Sequence, residues 1–298
     1  MFQYFRNNII TSLIYVSVFF IFIYSYTTYE DPAVSEQRNL EECINTFSTK
    51  DESFVQDTDE IYIIGHAYGT QKSEDLGISH KLIKLFNGFN TKKNTIVLTG
   101  DFVVDNSLDE LKKVKYLIEE NFSNYLIAVG NHDVGYSGYQ SDNLKENKNF
   151  ETIFMKDLFI KDFGSFSLIA ANFSTYNWEP NQSSKDIINA YIENTEDETI
   201  FLFSHQLFWL EETNNEIKPN SWSMLTQDLK ADSLSWLKNN NKNIVVISGD
   251  FGANGEPPYC KNIDNKTFIA SGISDKDDDK FLIIRFTNEE FYITIEGF

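Results

Sequence analysis

Clusters of basic residues are missing from this sequence. Its 298 residues include 25 Lys and Arg against 45 Asp and Glu, which gives a formal net charge of -20 at pH 7. Because nucleic-acid backbones are bound by clustered Lys and Arg, this balance argues against a nucleic-acid partner and favours a soluble surface with weak association. Hydrophobic residues make up 41% of the chain. That is enough for the buried core of one large domain or two small ones, so disorder is not expected.

Cysteine is also scarce, because Cys43 and Cys260 are the only two in the chain. In an oxidising compartment they could form one disulfide that ties the segment around Cys43 to the rest of the domain. Two buried free thiols are an equal alternative, since a sequence does not supply the Cα distance that a disulfide requires.

Charge is absent from one long apolar run near the N-terminus. Residues 9–27, IITSLIYVSVFFIFIYSYT, carry no charged side chain, and the run is close to the length that crosses a bilayer. Arg6 precedes it and Glu30 and Asp31 follow it, which predicts a domain on the non-cytoplasmic side, periplasmic or extracellular. The run exceeds a signal-peptide core and no small-residue cleavage site follows it. We therefore favour an uncleaved single-pass membrane helix over a cleaved signal peptide, and either over a buried core helix.

Short apolar runs alternate with amphipathic segments beyond a polar stretch. We expect a cytoplasmic stub and membrane anchor in residues 1–28, a linker in 29–59 and one domain in 60–298. EIYIIG, NTIVLTGD and NYLIAVGN predict strands, and ISHKLIKLFNGF and SLDELKKVKYLIEEN between them predict helices. This order predicts a layered α/β domain. Later runs, from FSLIAANFS to FYITIEGF, predict further strands, and the last three are expected to be antiparallel because no helix separates them.

Polar side chains of the kind that bind metals stand where the predicted strands end. They are His66 in IIGHAYG, Asp101 in LTGD, Asn131 and His132 in VGNHD, His205 in FSHQ and Asp250 in ISGDFG. In α/β folds, ligands bind at the carboxyl ends of the strands, where the loops converge. A single Gly-Asp or His at such a position is commonly a turn or a cap. Five strands that all end this way indicate a shared site.

At these residues the chain resembles the calcineurin-like metallophosphoesterase family, over residues 60–298. The family pattern is Asp-x-His, Gly-Asp, Gly-Asn-His-Asp/Glu, a later His and Gly-His-x-His. LTGD, GNHD and FSHQ match it in order. The resemblance implies an α/β four-layer sandwich, with two mixed sheets flanked by helices, and two metal ions bridged by the Asp of Gly-Asp.

Two of the family's metal-binding motifs are changed in this chain. Gly65, His66 and Ala67 stand where Asp-x-His is expected, and Asp250 and Gly252 stand where the two His of Gly-His-x-His are expected. The resemblance therefore implies that the first metal position keeps only the bridging Asp. The second keeps a full set of ligands: Asp101, Asn131, His205 and Asp250. We expect one divalent metal ion per chain, with Mn, Fe(II) or Mg favoured and Zn possible, because carboxylates, an amide oxygen and an imidazole suit these ions.

Three further residues are expected to act on the substrate. His132 resembles the family's proton donor to the leaving group, with Asp133 orienting it, and a His pKa suits proton transfer near neutral pH. His66 is the candidate to act in place of the missing metal. The structural alternatives are a turn residue pointing away for His66, a packing residue for His132 and a cap for Asp250. The neighbouring aromatic residues could line a pocket, but core packing is favoured for them: Phe102, Phe208, Trp209 and Phe251.

These features predict a membrane-anchored, metal-dependent phosphoesterase that hydrolyses a phosphomonoester or phosphodiester. The alternative is a catalytically inactive binding or scaffold protein that keeps the phosphoesterase fold, since half of the dinuclear site is lost. Retention of the second ligand set together with His132 favours the enzyme. A surface protein whose strand-end residues only cap turns would bind no metal. A hydrolase of another ester class is also compatible, because a fold does not determine a function.

Overall fold

The computed structural model describes the chain in twelve stretches. They are residues 39–45, 60–68, 78–88, 93–104, 106–135, 143–156, 158–174, 181–221, 236–237, 241–274, 276–286 and 291–298. The predicted membrane run at 9–27 lies outside the described residues. Within the described stretches, no helix has the length and apolar character needed to cross a bilayer. Contacts within the chain separate residues up to Leu40 from a unit that runs from Glu41 to Phe298, and this second unit is described below.

The first sheet is mixed and has five strands in the order β11-β10-β1-β2-β3. In chain order its strands are β1 (Glu60–Ile64), β2 (Thr95–Leu98), β3 (Asn124–Ile127), β10 (Lys280–Phe286) and β11 (Phe291–Gly297). The first three are parallel and the last two pair antiparallel. Helix α1 (His80–Gly88) connects β1 to β2, and α2 (Leu108–Asn121) connects β2 to β3. The hydroxyl of Ser107 caps α2 by accepting the N–H of Glu110, as residues of this type favour.

The second sheet is also mixed and has six strands in the order β4-β5-β6-β7-β9-β8. Its strands are β4 (Leu158–Asp162), β5 (Phe166–Ala171), β6 (Thr199–Ser204), β7 (Asn243–Ser248), β8 (Tyr259–Ile263) and β9 (Lys266–Ala270). The four central strands are parallel, and β4 and β8 pair antiparallel at the two edges. Helix α3 (Asn143–Phe154) precedes β4, and α4 (Gln182–Asn194) connects β5 to β6. Strands β5 and β6 are buried along their whole length, as expected for parallel strands covered on both faces.

Aromatic side chains fill the space between the two sheets. The ring of Phe166 on β5 lies 4.8 Å from that of Phe291 on β11 and 5.8 Å from that of Phe286 on β10. Phe201 on β6 also meets Phe291, at 5.7 Å between ring centroids. Such edge and offset contacts add to the gain from burying the rings. The predicted α/β fold with two mixed sheets is confirmed.

The aromatic residues next to the predicted ligands belong to the core. Phe208, Trp209 and Phe251 are at most 5% exposed and belong to a hydrophobic cluster on the second sheet. Phe102 is fully buried and its ring meets that of Phe154 in α3 at 5.7 Å. Core packing, favoured from the sequence, accounts for these four rings.

The prediction that the last three strands are antiparallel is wrong for the first of them. Strand β9 lies in the second sheet, parallel to β7, with Ala270 opposite Ser248. Of these three strands, β10 and β11 pair with each other and are antiparallel. The sequence did not indicate β8, because its residues YCKNI form a partly exposed edge strand without an apolar run. This unpredicted strand pairs antiparallel with β9 and lets the chain return to run parallel to β7.

A disulfide joins the two cysteines, so the alternative of free thiols is excluded. Cys43 lies in a helical segment at residues 39–44, and its Cα is 6.1 Å from that of Cys260 on β8. Two residues later, the side-chain amide of Asn45 donates to the carbonyl of Ile293 on β11 at 3.0 Å and accepts its N–H at 2.8 Å. Strands β8 and β11 are edges of the two sheets. The segment is therefore bound to both sheets at their edges.

Candidate active site

Side chains from both sheets meet at the carboxyl ends of the parallel strands. His66 follows β1 and Asp101 follows β2 in the first sheet, whereas His205 follows β6 and Asp250 follows β7 in the second. Backbone hydrogen bonds fix neighbouring turns to each other: the N–H of His66 donates to the carbonyl of Gly100 at 3.0 Å, and that of Asp250 to the carbonyl of His205 at 2.8 Å. The strand ends thus converge as the α/β architecture predicts.

Two glycines allow the central carboxylate and imidazole to come this close. Asp101 has a backbone φ of 52°, which places it in the left-handed region. A Cβ at Gly130 would lie 2.2 Å from Oδ1 of Asp101, and a Cβ at Gly100 would lie 2.4 Å from Cβ of His205. Any larger residue would therefore displace the site. Close approach requires both glycines, and Gly100 also has a positive φ of 82°, which glycine adopts without strain.

Three buried residues present hydrogen-bond acceptors to one another, and we call them the acceptor cluster: Asp101, His205 and Asp250. Nδ1 of His205 lies 3.1 Å from the carbonyl oxygen of Thr99. A carbonyl can only accept, so Nδ1 carries the hydrogen and Nε2 of the neutral ring is an acceptor. Nε2 lies 3.3 Å from Oδ2 of Asp101 and 3.9 Å from Oδ1 of Asp250. Among the described residues this nitrogen has no partner aligned for a hydrogen bond.

Burial and the opposite charge that faces it shift the pKa of each titratable group in the acceptor cluster. Burial alone would lower the pKa of His205, but the charge of Asp101 outweighs burial and raises that pKa to about 9. Burial raises the pKa of Asp101, and the facing His205 reverses this and holds the pKa below its usual range. Burial also raises the pKa of Asp250, to about 7, although His205 opposes the shift. Without another cation, the cluster retains a proton on His205.

Asp250 is held by the segment that follows β6. The N–H of Ser221 donates to Oδ1 of Asp250 at 3.3 Å, and the Ser221 hydroxyl donates to Oδ2. The N–H of Asn220 donates to the carbonyl oxygen of Asp250 at 2.9 Å. The carboxylate therefore binds a neighbouring loop instead of capping a helix.

The donor set of the acceptor cluster fits a divalent cation. Two carboxylates and an imidazole are ligands that Mn, Fe(II) and Zn accept, and the unpartnered Nε2 of His205 is the atom that a cation would satisfy. Asn131 lies on the turn after β3, half-buried, and its side chain makes no hydrogen bond to the described residues. Within the described part of the chain, no group of three or more His, Cys, Asp or Glu side chains has the arrangement of a metal site. The contacts of the cluster instead run pairwise through His205.

The predicted role of Asp133 is corrected by its hydrogen bonds. Its buried carboxylate accepts four backbone N–H groups at 2.7 to 3.2 Å, from Asp101, Phe102, Val103 and Gly130. Burial and the charge of Asp101 raise the pKa of Asp133 to about 7. The ring of His132 is oriented by another group, because its Nδ1 lies 3.0 Å from the carbonyl oxygen of Val104. Asp133 thus organises the turn that carries Asp101.

A second group of side chains, which we call the aromatic row, lies beside the acceptor cluster: His66, Tyr68 and His132. The centroid of the Tyr68 ring is 4.5 Å from that of His66 and 4.8 Å from that of His132. The Tyr68 hydroxyl lies 3.3 Å from Nε2 of His132. Nδ1 of His66 lies 3.0 Å from the carbonyl oxygen of Ile273, and burial lowers the pKa of His66. His66 therefore packs into this row and is uncharged near neutral pH.

Sequence reasoning missed Tyr68 and Ser221. Tyr68 stands two residues after His66, but the chain contains 15 Tyr and this one has no motif around it. Ser221 lies 29 residues before Asp250, in a polar segment. Its contact with Asp250 depends on how the loop folds, so no local pattern could have indicated it.

Comparisons with known proteins show which family the chain resembles. The family model described as calcineurin-like phosphoesterase matches residues 66–249. Similar solved structures include the phosphopantetheinyl hydrolase of Mycobacterium tuberculosis, with 11% identity over 74% of this chain and 92% of that chain and a TM-score of 0.44. A predicted phosphoesterase from Streptococcus pneumoniae shows 12% identity over 80% of this chain and 89% of that chain, with a TM-score of 0.35. No curated protein matches the chain significantly. The matched residues begin at His66 and end one residue before Asp250.

Proposed function

Since the chain belongs to the calcineurin-like phosphoesterase family, we propose that it is a metal-dependent phosphoesterase that hydrolyses a phosphomonoester or phosphodiester. The observation that carries the proposal is the acceptor cluster, in which Nε2 of His205 faces the carboxylates of Asp101 and Asp250 without a hydrogen-bond partner among the described residues. Three acceptors that face one another repel unless a cation, or a proton on His205, lies among them.

A single divalent ion would be held by the acceptor cluster, with Asn131 as a fourth ligand from the turn after β3. Mn, Fe(II) or Mg suits this oxygen-rich set best, and Zn is compatible with it. When bound, such an ion polarises a phosphoryl oxygen and lowers the pKa of a bound water. Ser221 supports the arrangement by holding both carboxylate oxygens of Asp250.

The turn after β1 supports one ion in place of two. A Cβ at Gly65 would lie 2.3 Å from the carbonyl oxygen of Ser271 and 2.7 Å from Cα of Gly249. No Asp side chain fits there without displacing backbone. Ala67, at the other ligand position of the family motif, is fully buried and has no metal-binding group.

His132 and His66 are suited to opposite proton transfers. In His132 the hydrogen on Nδ1 is held by the carbonyl of Val104, so a second proton binds at Nε2, and the imidazolium gives that proton to the leaving-group oxygen. In His66 the hydrogen on Nδ1 is held by the carbonyl of Ile273. Nε2 of this uncharged ring is an acceptor, able to take a proton from the attacking water. The products are an alcohol and a phosphate or phosphomonoester.

We also propose that the domain is attached to a membrane by residues 9–27 and lies on the non-cytoplasmic side, periplasmic or extracellular. The uncharged apolar run supports the anchor, and Arg6 on its N-terminal side supports this orientation. The disulfide between Cys43 and Cys260 supports an oxidising compartment. Carbonate washing of membranes should leave the full chain in the pellet, and its release would contradict the anchor.

A substrate screen tests the proposed activity. The full-length chain, purified in detergent, is assayed with para-nitrophenyl phosphate and bis(para-nitrophenyl) phosphate after loading with Mn, Fe(II), Mg or Zn. We expect turnover that a chelator abolishes and that the loading metal restores. No turnover with any metal, in protein that nevertheless binds one, would instead support the inactive scaffold. Nucleic acids are poor candidates, because the chain has a net charge of -20.

A further inference from the structure

Tyr68 is held in place from both sides at the centre of the aromatic row. Its ring lies between those of His66 and His132, at centroid distances of 4.5 and 4.8 Å. Its backbone N–H donates to the carbonyl oxygen of Asp101 at 3.0 Å. The residue is half-buried, so a substrate can reach it. Tyr68 is therefore fixed relative to both the acceptor cluster and His132.

The Tyr68 hydroxyl lies at the nitrogen that performs proton transfer. Because Nδ1 of His132 is occupied by the carbonyl of Val104, only Nε2 can exchange a proton with a substrate. The Tyr68 oxygen is 3.3 Å from that nitrogen. A substrate oxygen that approaches Nε2 within hydrogen-bond distance thus comes close to the hydroxyl as well.

We propose that the Tyr68 hydroxyl is a second hydrogen-bond donor to the leaving-group oxygen, acting beside His132. This inference rests on the proposed phosphoesterase function. The turn after β1 has no carboxylate to hold a second ion, so negative charge on the leaving group needs another source of stabilisation. A preorganised donor aimed at an oxygen that gains charge supplies it.

Hydrolysis of a phosphomonoester forms one bond at phosphorus and breaks another. Water forms a new bond to phosphorus and releases a proton to solvent by way of a base. The bond between phosphorus and the leaving oxygen breaks, and its electron pair remains on that oxygen. The oxygen takes the proton from Nε2 of His132, which regains one from solvent, while Tyr68 keeps its own proton and donates only a hydrogen bond.

The dependence on the leaving group separates this role from a structural one. Tyr68→Phe keeps the ring stacked and removes only the hydroxyl. For an alkyl phosphate, whose leaving oxygen is strongly basic, kcat should fall by about a hundredfold with KM nearly unchanged. For para-nitrophenyl phosphate, whose leaving group is stable as an anion, kcat should fall by roughly threefold or less.

Two controls and one spectroscopic readout accompany the kinetics. Tyr116→Phe removes a hydroxyl from a residue that is 66% exposed on α2, and it should change neither rate. Metal content should be equal in wild type and Tyr68→Phe. The nitrogen NMR shift of His132 Nε2 should move in Tyr68→Phe, because that nitrogen loses a hydrogen-bond partner. In a His132→Ala background, Tyr68→Phe should have a smaller effect, since both groups act on the same oxygen.

The outcomes distinguish the inference from the function on which it rests. If wild type turns over phosphoesters and Tyr68→Phe loses nothing, or loses equally on both substrates, Tyr68 is not a leaving-group donor and the proposed function stands. If wild type turns over no phosphoester, the proposed function fails and this inference fails with it.

Discussion

The acceptor cluster and the aromatic row lie side by side at the same strand ends, yet they differ in the hydrogen-bonding groups they present. In the cluster, an imidazole nitrogen faces two carboxylates and has no aligned partner among the described residues. In the row, a phenol hydroxyl faces an imidazole nitrogen at 3.3 Å, so donor and acceptor are matched. The acceptor cluster needs a cation or a proton on His205 to be stable, whereas the aromatic row needs neither.

Backbone carbonyls produce this contrast by holding one nitrogen of each histidine. Nδ1 of His205, His66 and His132 lies within 3.1 Å of a carbonyl oxygen. Each ring therefore presents Nε2 as its active nitrogen. In His205 this nitrogen faces two carboxylates, whereas in His132 it faces the Tyr68 hydroxyl. This difference separates a metal-binding role from a proton-transfer role.

Removal of the Asp101 carboxylate should have the largest effect on turnover, because the acceptor cluster and the aromatic row both depend on this residue. Asp101→Asn keeps the side-chain shape but removes the charge that faces His205. We expect turnover of para-nitrophenyl phosphate to fall by at least about a thousandfold, since a lost ion withdraws several kcal/mol of stabilisation. Asp109→Asn, at an exposed carboxylate on α2, is the matched control. Activity of Asp101→Asn within tenfold of the control would break the assignment of the cluster.

Removal of the disulfide should lower stability and leave the acceptor cluster and the aromatic row unchanged. In the variant Cys43→Ser with Cys260→Ser, we expect the free energy of unfolding to fall by about 4 kcal/mol, because the bond closes a long loop. Chemical denaturation of the folded protein measures the loss. Turnover below the melting temperature should equal that of wild type. A large fall in kcat would show that the segment around Cys43 affects the active site.

A variant of Asp133 tests whether this residue stabilises the turn or supports proton transfer by His132. Asp133→Asn places an amide group against backbone N–H donors and leaves some of them without an acceptor, so the free energy of unfolding should fall by about 3 kcal/mol. Thermal and chemical unfolding measure this change. If Asp133 instead oriented His132, the variant would keep its stability and lose turnover, which would reverse the role assigned above.

When metal is absent, the stability of the folded protein should depend on pH through the protonation of His205 in the acceptor cluster. Asp101 raises the pKa of His205 to about 9 in the folded protein from an ordinary value of 6.5. The resulting stabilisation is fully present below pH 6.5 and is lost as pH rises through 9. In chelator, the melting temperature of wild type should therefore fall across this range more than that of His205→Gln. If the melting temperatures of the two proteins changed equally with pH, protonation of His205 would not stabilise the fold.

Local motifs predicted those parts of the site that depend on strand ends. LTGD and VGNHD placed Asp101 and His132 correctly at the ends of β2 and β3, because an apolar run followed by Gly and a polar residue is typical of a buried strand that ends in a turn. The apolar runs likewise indicated most strands of both sheets. Edge strand β8 has no such run, so no local pattern indicated it.

The partners of these residues were not readable from the sequence, because they depend on distant contacts. Asp133 follows His132 directly, which suggested that it orients the ring, but its carboxylate turns back to the N–H groups of the Asp101 turn. Tyr68 reaches His132 across 64 residues of sequence. Such contacts follow from the packing of one turn on another, and no spacing rule describes them.

The metal content of the full-length chain tests the central claim most directly, namely that the acceptor cluster holds one divalent ion. The protein is purified in detergent without chelator and measured by plasma mass spectrometry beside Asp101→Asn. We predict about one ion per chain in wild type and none in the variant. No ion in wild type after dialysis against Mn, Fe(II) and Zn, or equal content in both proteins, would contradict the account.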